Sequence, residues 1–249
     1  MRRTAGGPVP APRRVQSGLG IIELLVVILI SLLMLTGLFS IVYGTRQNYL
    51  AQNQLGQLQD SERLAMNLVA NVVQTGGYFP NPTAVTVIQA LPAAAVFASA
   101  GQAFFGVTSA AGDQIYVRYV AGPGDGVMDC NGNTNGGAAA ITDINLFYVA
   151  NNQLLCQVTV SGVARPPQPL VNGVTGMTIL YGVNVNNDGN NSAEQYFSAP
   201  SMLPAYWNQL VSVRVTLTFA NPLTGATAPG AGQVAAPTLT RTIDLLNRI

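Results

Sequence analysis

The chain has 249 residues, 49% of them hydrophobic and only 8% charged, with 26 Gly, 15 Pro and a formal net charge of +1. A composition this apolar excludes a disordered protein, and so many turn formers argue against a helical bundle; the length suits one membrane segment plus one loop-rich, β-dominated domain. All eleven basic residues are Arg, and His and Lys are absent, which removes His-based triads, most metal-ligand clusters, lysine Schiff bases and phosphate-loop lysines.

The charge is unevenly spread. Arg2, Arg3, Arg13 and Arg14 precede Gly18, and beyond it seven arginines face all ten acids. A mildly acidic body of this kind has no basic footprint for nucleic acid. From residue 19 to residue 42 the chain is apolar or small almost throughout, with Glu23 as its one charge. As a helix this run spans about 36 Å, enough to cross a bilayer core of roughly 30 Å. It is too long for the apolar region of an ordinary secretory signal, and the arginines before it place residues 1–18 in the cytoplasm and the remainder outside. A carboxylate at bilayer depth costs roughly 2.5–3.5 kcal/mol, so Glu23 calls for an explanation.

Gly18 followed by Leu19-Gly20-Ile21-Ile22-Glu23 and a long apolar helix resembles the type III signal of type IV prepilins. The resemblance implies that a prepilin peptidase cuts between Gly18 and Leu19 and that Leu19 becomes an N-methylated terminus. It also implies that Glu23, fifth in the mature chain, meets the α-amino group of a neighbouring subunit in a filament, which would recover desolvation cost and set the axial stagger. Leu19 stands where Phe is usual, and Gly20 where a polar or β-branched residue is more frequent. The other reading of Glu23 is an acid that snorkels near the helix end.

Past Val42, Tyr43, Gly44, Arg46, Gln47, Asn48 and Tyr49 form a collar suited to a membrane interface. Helical character continues to about Gln74, with Leu64, Ala65, Leu68, Val69, Val72 and Val73 on one apolar stripe. Gly76 and Gly77 stop it, and Pro80 and Pro82 prevent a restart. A near-continuous helix from residue 19 to about 75 would be about 85 Å long, with Gly37, Gly44 and Gly56 as soft points. The expected organisation is a leader over 1–18, a transmembrane half of the helix over 19–43, an amphipathic half over 44–76 and an extracytoplasmic β-rich domain over 77–249.

Residues 84–106 are Ala-, Val- and Phe-rich and fit either a short helix or two short strands. Residues 115–120 read as a strand leading into the turn-rich Gly122-Pro123-Gly124-Asp125-Gly126. Segments 144–150 and 154–160 flank Asn151-Asn152 as a hairpin, and 174–181 is a further strand. The clearest alternation lies at 210–219, where Val211, Val213, Val215, Leu217 and Phe219 face one way and Ser212, Arg214, Thr216 and Thr218 the other. A long loop over 220–237 precedes a final strand at 238–246. The sum is an α+β fold in the outline of a pilin lollipop, a long N-terminal helix packed on an antiparallel β-sheet with long loops.

Cys130 and Cys156 are too far apart for a redox CxxC pair. In an oxidising compartment they would form one disulfide closing a 27-residue loop; the alternative is two free core thiols. Asn184-Val185-Asn186-Asn187-Asp188-Gly189 resembles the first half of a calcium loop, but its twelfth position is Gln195, so a polar turn is the better reading. Joint calcium binding with loop 125–133 stays open. Arg118 and Arg214, each mid-strand, suggest cross-strand pairing with an acid, and Trp207 and Tyr206 suggest core. No acid/base pair is apparent, and no cofactor or catalytic residue is expected.

Several short segments add a second resemblance. Arg46-Gln-Asn-Tyr49, Gly76-Gly77-Tyr78, Asp129-Cys130-Asn131-Gly132, Leu155-Cys156, residues 169–174, Leu180-Tyr181-Gly182-Val183 and Trp207 before Val211-Ser-Val-Arg214 are together similar to the PilW family of minor pilins. That resemblance implies a non-enzymatic subunit that helps initiate type IV pilus assembly at or near the tip. Its partners would be the prepilin peptidase, other minor pilins, the major pilin and the inner-membrane assembly platform. It would start as a single-pass inner-membrane protein with its C-terminal domain in the periplasm. The alternatives are a type II secretion pseudopilin, which shares the signal, and a membrane-anchored enzyme or binding module.

Overall fold

The structure, a computed structural model, describes residues 20–223 and 236–247. The long helix expected from the N-terminal pattern is present as α1, Ile21–Thr75, helical through Gly37, Gly44 and Gly56. The chain divides into two units, one ending at Gln52 and one beginning at Asn53.

In the first unit the apolar side chains of α1 are solvent-exposed, Ile21 through Val42 among them. The few hydroxyls in this stretch turn back on the helix: Ser31, Thr36 and Thr45 donate to the carbonyls of Val27, Leu33 and Ile41 at 2.7–2.9 Å. Such back-bonding removes polar hydrogen from an otherwise hydrocarbon surface.

In the second unit the last turns of α1 bury Ala65, Met66, Val69, Ala70, Val72 and Val73. This stripe is rotated from the expected one. Leu64 is 51% exposed, and Met66 and Ala70 take the inward positions, because Ala70 lets the helix axis approach the strands. The helix ends where Gly76 presses on the Phe104 ring, so that a Cβ there would overlap it, and Gly77 takes a left-handed φ of 80°. Gly77 N–H then donates to Arg118 O at 2.9 Å, fixing the helix end to a strand.

Residues 84–106 resolve into a one-turn helix α2, Val87–Ala90, and the start of strand β1, Phe104–Ser109. The strands that follow are β2 (Gly112–Ala121), β3 (Ile141–Ala150), β4 (Gln153–Val160), β5 (Val163–Ala164) and β6 (Gln168–Asn172). After them come β7 (Val174–Val183), β8 (Gln195–Phe197), β9 (Leu210–Phe219) and β10 (Thr238–Asp244). The β3–β4 hairpin turns on Asn151 and Asn152, both at positive φ, which asparagine tolerates. All pairings are antiparallel, and the strands form two sheets: β1-β2-β3-β4-β5 with β6 also on β4, and β10-β9-β7-β8. β9 alternates as expected from Val213 onward, with Val213, Val215, Leu217 and Phe219 buried, but at its start Leu210, Val211 and Ser212 are all buried. Part of the expected loop at 220–237 lies outside the described residues.

One hydrophobic cluster joins α1 and both sheets. Trp207, in a 3-10 turn over Pro204–Asn208, is the aromatic bridge, packing on Phe105 and edge-on to Tyr181 with ring centroids 5.5 and 4.9 Å apart. Asp113 adds a polar tie. Its carboxylate accepts from Thr108 Oγ1 at 2.6 Å and from the Ile179 N–H of β7 at 2.7 Å, linking the two sheets.

Candidate functional site

Glu23 lies in the first turn of α1, its side chain exposed, and its backbone N–H donates to Gly20 O at 3.0 Å. A carboxylate there complements the positive end of the helix dipole. The helix is long and apolar enough to cross a membrane. No arginine lies between Gly20 and Thr45, so the acid has no basic partner within its own apolar run. Gly18 and Leu19, the expected cleavage and methylation positions, lie outside the described residues.

Cys130 and Cys156 form a disulfide with Cα atoms 6.4 Å apart. It ties the loop between β2 and β3 to the centre of β4. The loop is folded by its own acids. Asp125 accepts from the N–H groups of Gly122 and Val127 at 2.6 and 3.0 Å, and Asp129 accepts from those of Asn131 and Asn133 at 2.9 and 2.8 Å. Cys130 N–H donates to Asn145 Oδ1 on β3 at 2.8 Å, and a cleft of about 330 Å³ separates the loop from Leu68, Asn71, Val72 and Thr75 of α1. Replacing both cysteines by serine should cost about 3.5 kcal/mol, the chain-entropy estimate for a loop of this size. A reduction of the melting temperature of the full chain in detergent micelles measures it, and an unchanged value would show that the loop is held without the bridge.

Loop 184–191 folds as a polar turn, tied outward by the Val185 N–H to Glu194 Oε2 at 2.8 Å and the Asn184 N–H to Gln209 O at 3.0 Å. Asn184 turns its Nδ2 inward, donating to Asp188 Oδ1 and Asn190 O at 2.9 Å each, and Asp188 also accepts from Asn190 N–H at 3.1 Å. Hydrogen bonding from Asn184 first, then from the Asn190 backbone, lowers the Asp188 carboxyl below its ordinary value. A donor aimed at the acid occupies the place a cation would need. Among the described residues no three acids or cysteines lie together as metal ligands.

The arginine expectation is corrected. Arg118 is 2% exposed, and its guanidinium faces carbonyls. Nε and Nη2 donate to Gln102 O, Nη1 donates to Pro92 O at 2.7 Å, and Nη2 reaches Leu91 O at 3.4 Å. The cation also stacks 4.3 Å from the Phe97 centroid. Burial lowers its pKa to about 10, which leaves it charged at neutral pH. Arg214 likewise lies 4.1 Å over the Tyr196 ring and donates to Thr242 Oγ1. Carbonyl dipoles and aromatic faces take the part assigned to an acid, because the loop carrying residues 91–102 folds over Arg118 with its carbonyls pointing inward.

Three further residues were not singled out by the pattern of the sequence. On β2 and β3, Tyr119 stands opposite Asp143, and Val117 opposite Asn145. Tyr119, Asp143 and Asn145 are 0%, 4% and 0% exposed; Asp143 Oδ1 is enclosed without a hydrogen-bond partner, and the enclosed Tyr119 OH and Asn145 Nδ2 have only each other. Burial pushes the Asp143 carboxyl up to about 6, with Asp129 and Asp125 adding to the rise and Arg165 opposing it.

Residues 142–245 match the family model described as Type IV Pilus-assembly protein W. The match runs from within β3 to just past β10 and does not include α1. No curated protein matches the chain. Among solved structures the chain is similar to a type IV-like pilin from Thermus thermophilus, at 14% identity and a TM-score of 0.44, over 76% of this chain and 96% of that one.

Proposed function

We propose that the protein is a minor pilin, a structural subunit that helps initiate type IV pilus assembly and sits at or near the pilus tip. The observation that carries this reading is the first half of α1: an exposed apolar run over residues 21–42 whose one charge is Glu23 in the first turn, following a segment in which the arginines gather before Gly18. The family match over 142–245 supports it from a part of the chain that shares no residue with that helix. In this reading the leader 1–18 is removed by a prepilin peptidase between Gly18 and Leu19, and Leu19 is N-methylated. The subunit waits in the inner membrane with its C-terminal domain in the periplasm, then enters the filament through other minor pilins, the major pilin and the assembly platform. The two sheets serve as a body to be contacted and perform no catalysis.

Two measurements test this together: N-terminal analysis of the processed protein, and pilus counts in a deletion strain. The expected outcome is a mature chain starting at methylated Leu19 and a loss of pili. A chain starting before Leu19, or normal piliation without the protein, would overturn the proposal. Co-purification with secretion components in place of pilus components would favour a pseudopilin.

A further inference from the structure

The polar group beneath the disulfide-bearing loop is the part of the domain that neither packing nor the assembly reading uses. Three buried side chains share one face of the β2–β3 pair; Asp143 Oδ1 is unpaired, and Tyr119 OH and Asn145 Nδ2 have only each other. The set comprises one unpaired acid oxygen, one amide hydrogen donor and one phenol that both donates and accepts. A native domain leaves few such groups unsatisfied, since each costs about 1–3 kcal/mol. Asn145 cannot turn over to help, because its Oδ1 already holds the Cys130 N–H.

We propose that Asp143, Tyr119 and Asn145 form a proton-controlled latch for the loop between β2 and β3. With Asp143 neutral, the carboxyl both donates and accepts, and hydrogen bonds among the three side chains, direct or through an ordered water, close the network beneath the loop. With Asp143 ionised, a buried charge faces Asp125 and Asp129 of the loop, and the loop's hold on β3 through Cys130 and Asn145 weakens. The proton leaves to solvent, and the disulfide keeps the loosened loop attached.

The surrounding charges support this assignment. Asp125 and Asp129 come from the loop itself, Arg165, just past β5, supplies the opposing charge on Asp143 among the described residues, and Tyr119 comes from β2. The α1 residues lining the adjacent cleft, Leu68, Asn71, Val72 and Thr75, carry no charge. The Asp143 carboxyl titrates near pH 6 in the folded chain, above its ordinary value of 3.8. The folded state therefore holds this proton more tightly than the unfolded state does. The stabilisation is complete below about pH 4 and is lost as pH rises through about 6.

The test uses the full chain, disulfide intact, in detergent micelles. Carbon-13 titration of the Asp143 carboxyl in the wild type should show a midpoint near pH 6. The Cys130 amide, normalised to its intrinsic exchange rate, should exchange faster at pH 7.5 than at pH 5.5. In Asp143→Asn, a neutral side chain of the same shape, that ratio should fall to one, and the wild-type drop of a few degrees in melting temperature over the same interval should disappear. Asp244→Asn, an exposed control, should keep both. An Asp143 midpoint below pH 4.5, or a pH dependence of Cys130 exchange that persists in Asp143→Asn, overturns the latch. Should the Asn variant fail to fold, the wild-type titration and exchange decide the question without it.

Discussion

Arg118→Ala should destabilise the domain by about 4 kcal/mol, a drop of about 10 °C in melting temperature for a domain of this size. The side chain holds three carbonyls, those of Leu91, Pro92 and Gln102, and covers the Phe97 ring. Truncation leaves those acceptors enclosed and opens a cavity beside Phe97, itself 1% exposed. Arg118→Lys keeps the charge but replaces a planar fork with a point ammonium that cannot serve three carbonyls, so it should recover only about half of the loss. Circular-dichroism melts of the full chain in micelles measure both. A lysine variant as stable as the wild type would show that charge alone, and not the fork, holds residues 91–102.

Glu23→Ala should leave the protein in the membrane and remove it from the filament. The two outcomes separate because the carboxylate acts against insertion: its removal saves roughly 2.5–3.5 kcal/mol of transfer cost. A variant lost from sheared pili while abundant in the membrane fraction has therefore failed at assembly. Glu23→Gln distinguishes charge from hydrogen bonding, since the amide still accepts a hydrogen bond but cannot pair with an α-amino cation. Both variants should be depleted from pili at least tenfold, read by immunoblot of the sheared fraction against the membrane fraction. Wild-type incorporation of Glu23→Ala would remove the coupling role assigned to this acid.

Legibility varied with how much of an element's environment its own residues report. β9 could be read because one face is wholly buried and the other carries Arg and Thr, so the period of two is written in hydrophobicity. β3 shows the opposite case. Its segment Ile141-Thr142-Asp143-Ile144-Asn145-Leu146 offers isoleucine and leucine at even positions, yet Asp143 and Asn145 point inward while Ile144 and Leu146 are half-buried. Both faces of this strand are partly covered, so alternation could not say which was the inside. Leu64 was misplaced for a related reason: stripes displaced by one residue look alike on a helix, and closeness of packing favoured Ala70. The partners of Arg118 could not be foreseen, because carbonyls carry no residue identity and these come from a loop 16 to 27 residues away. The disulfide pairing, by contrast, followed from there being only two cysteines.

The Asp113 contact bears on the border of the smaller sheet along β7, where Ile179 is buried. β8 pairs with β7 only at Tyr181, Gly182 and Val183, and at Met177 and Ile179 the same border lies against Gly112 and Asp113 of β2 without a strand ladder. Unpaired backbone on such an edge invites another chain to add itself as a strand. By taking the Ile179 N–H at 2.7 Å, the Asp113 carboxylate occupies a donor that an incoming strand would need and sets a charge in its path. A residue that joins two sheets within one molecule thereby also protects against intermolecular strand addition, so that contacts between subunits can be left to surfaces other than this edge.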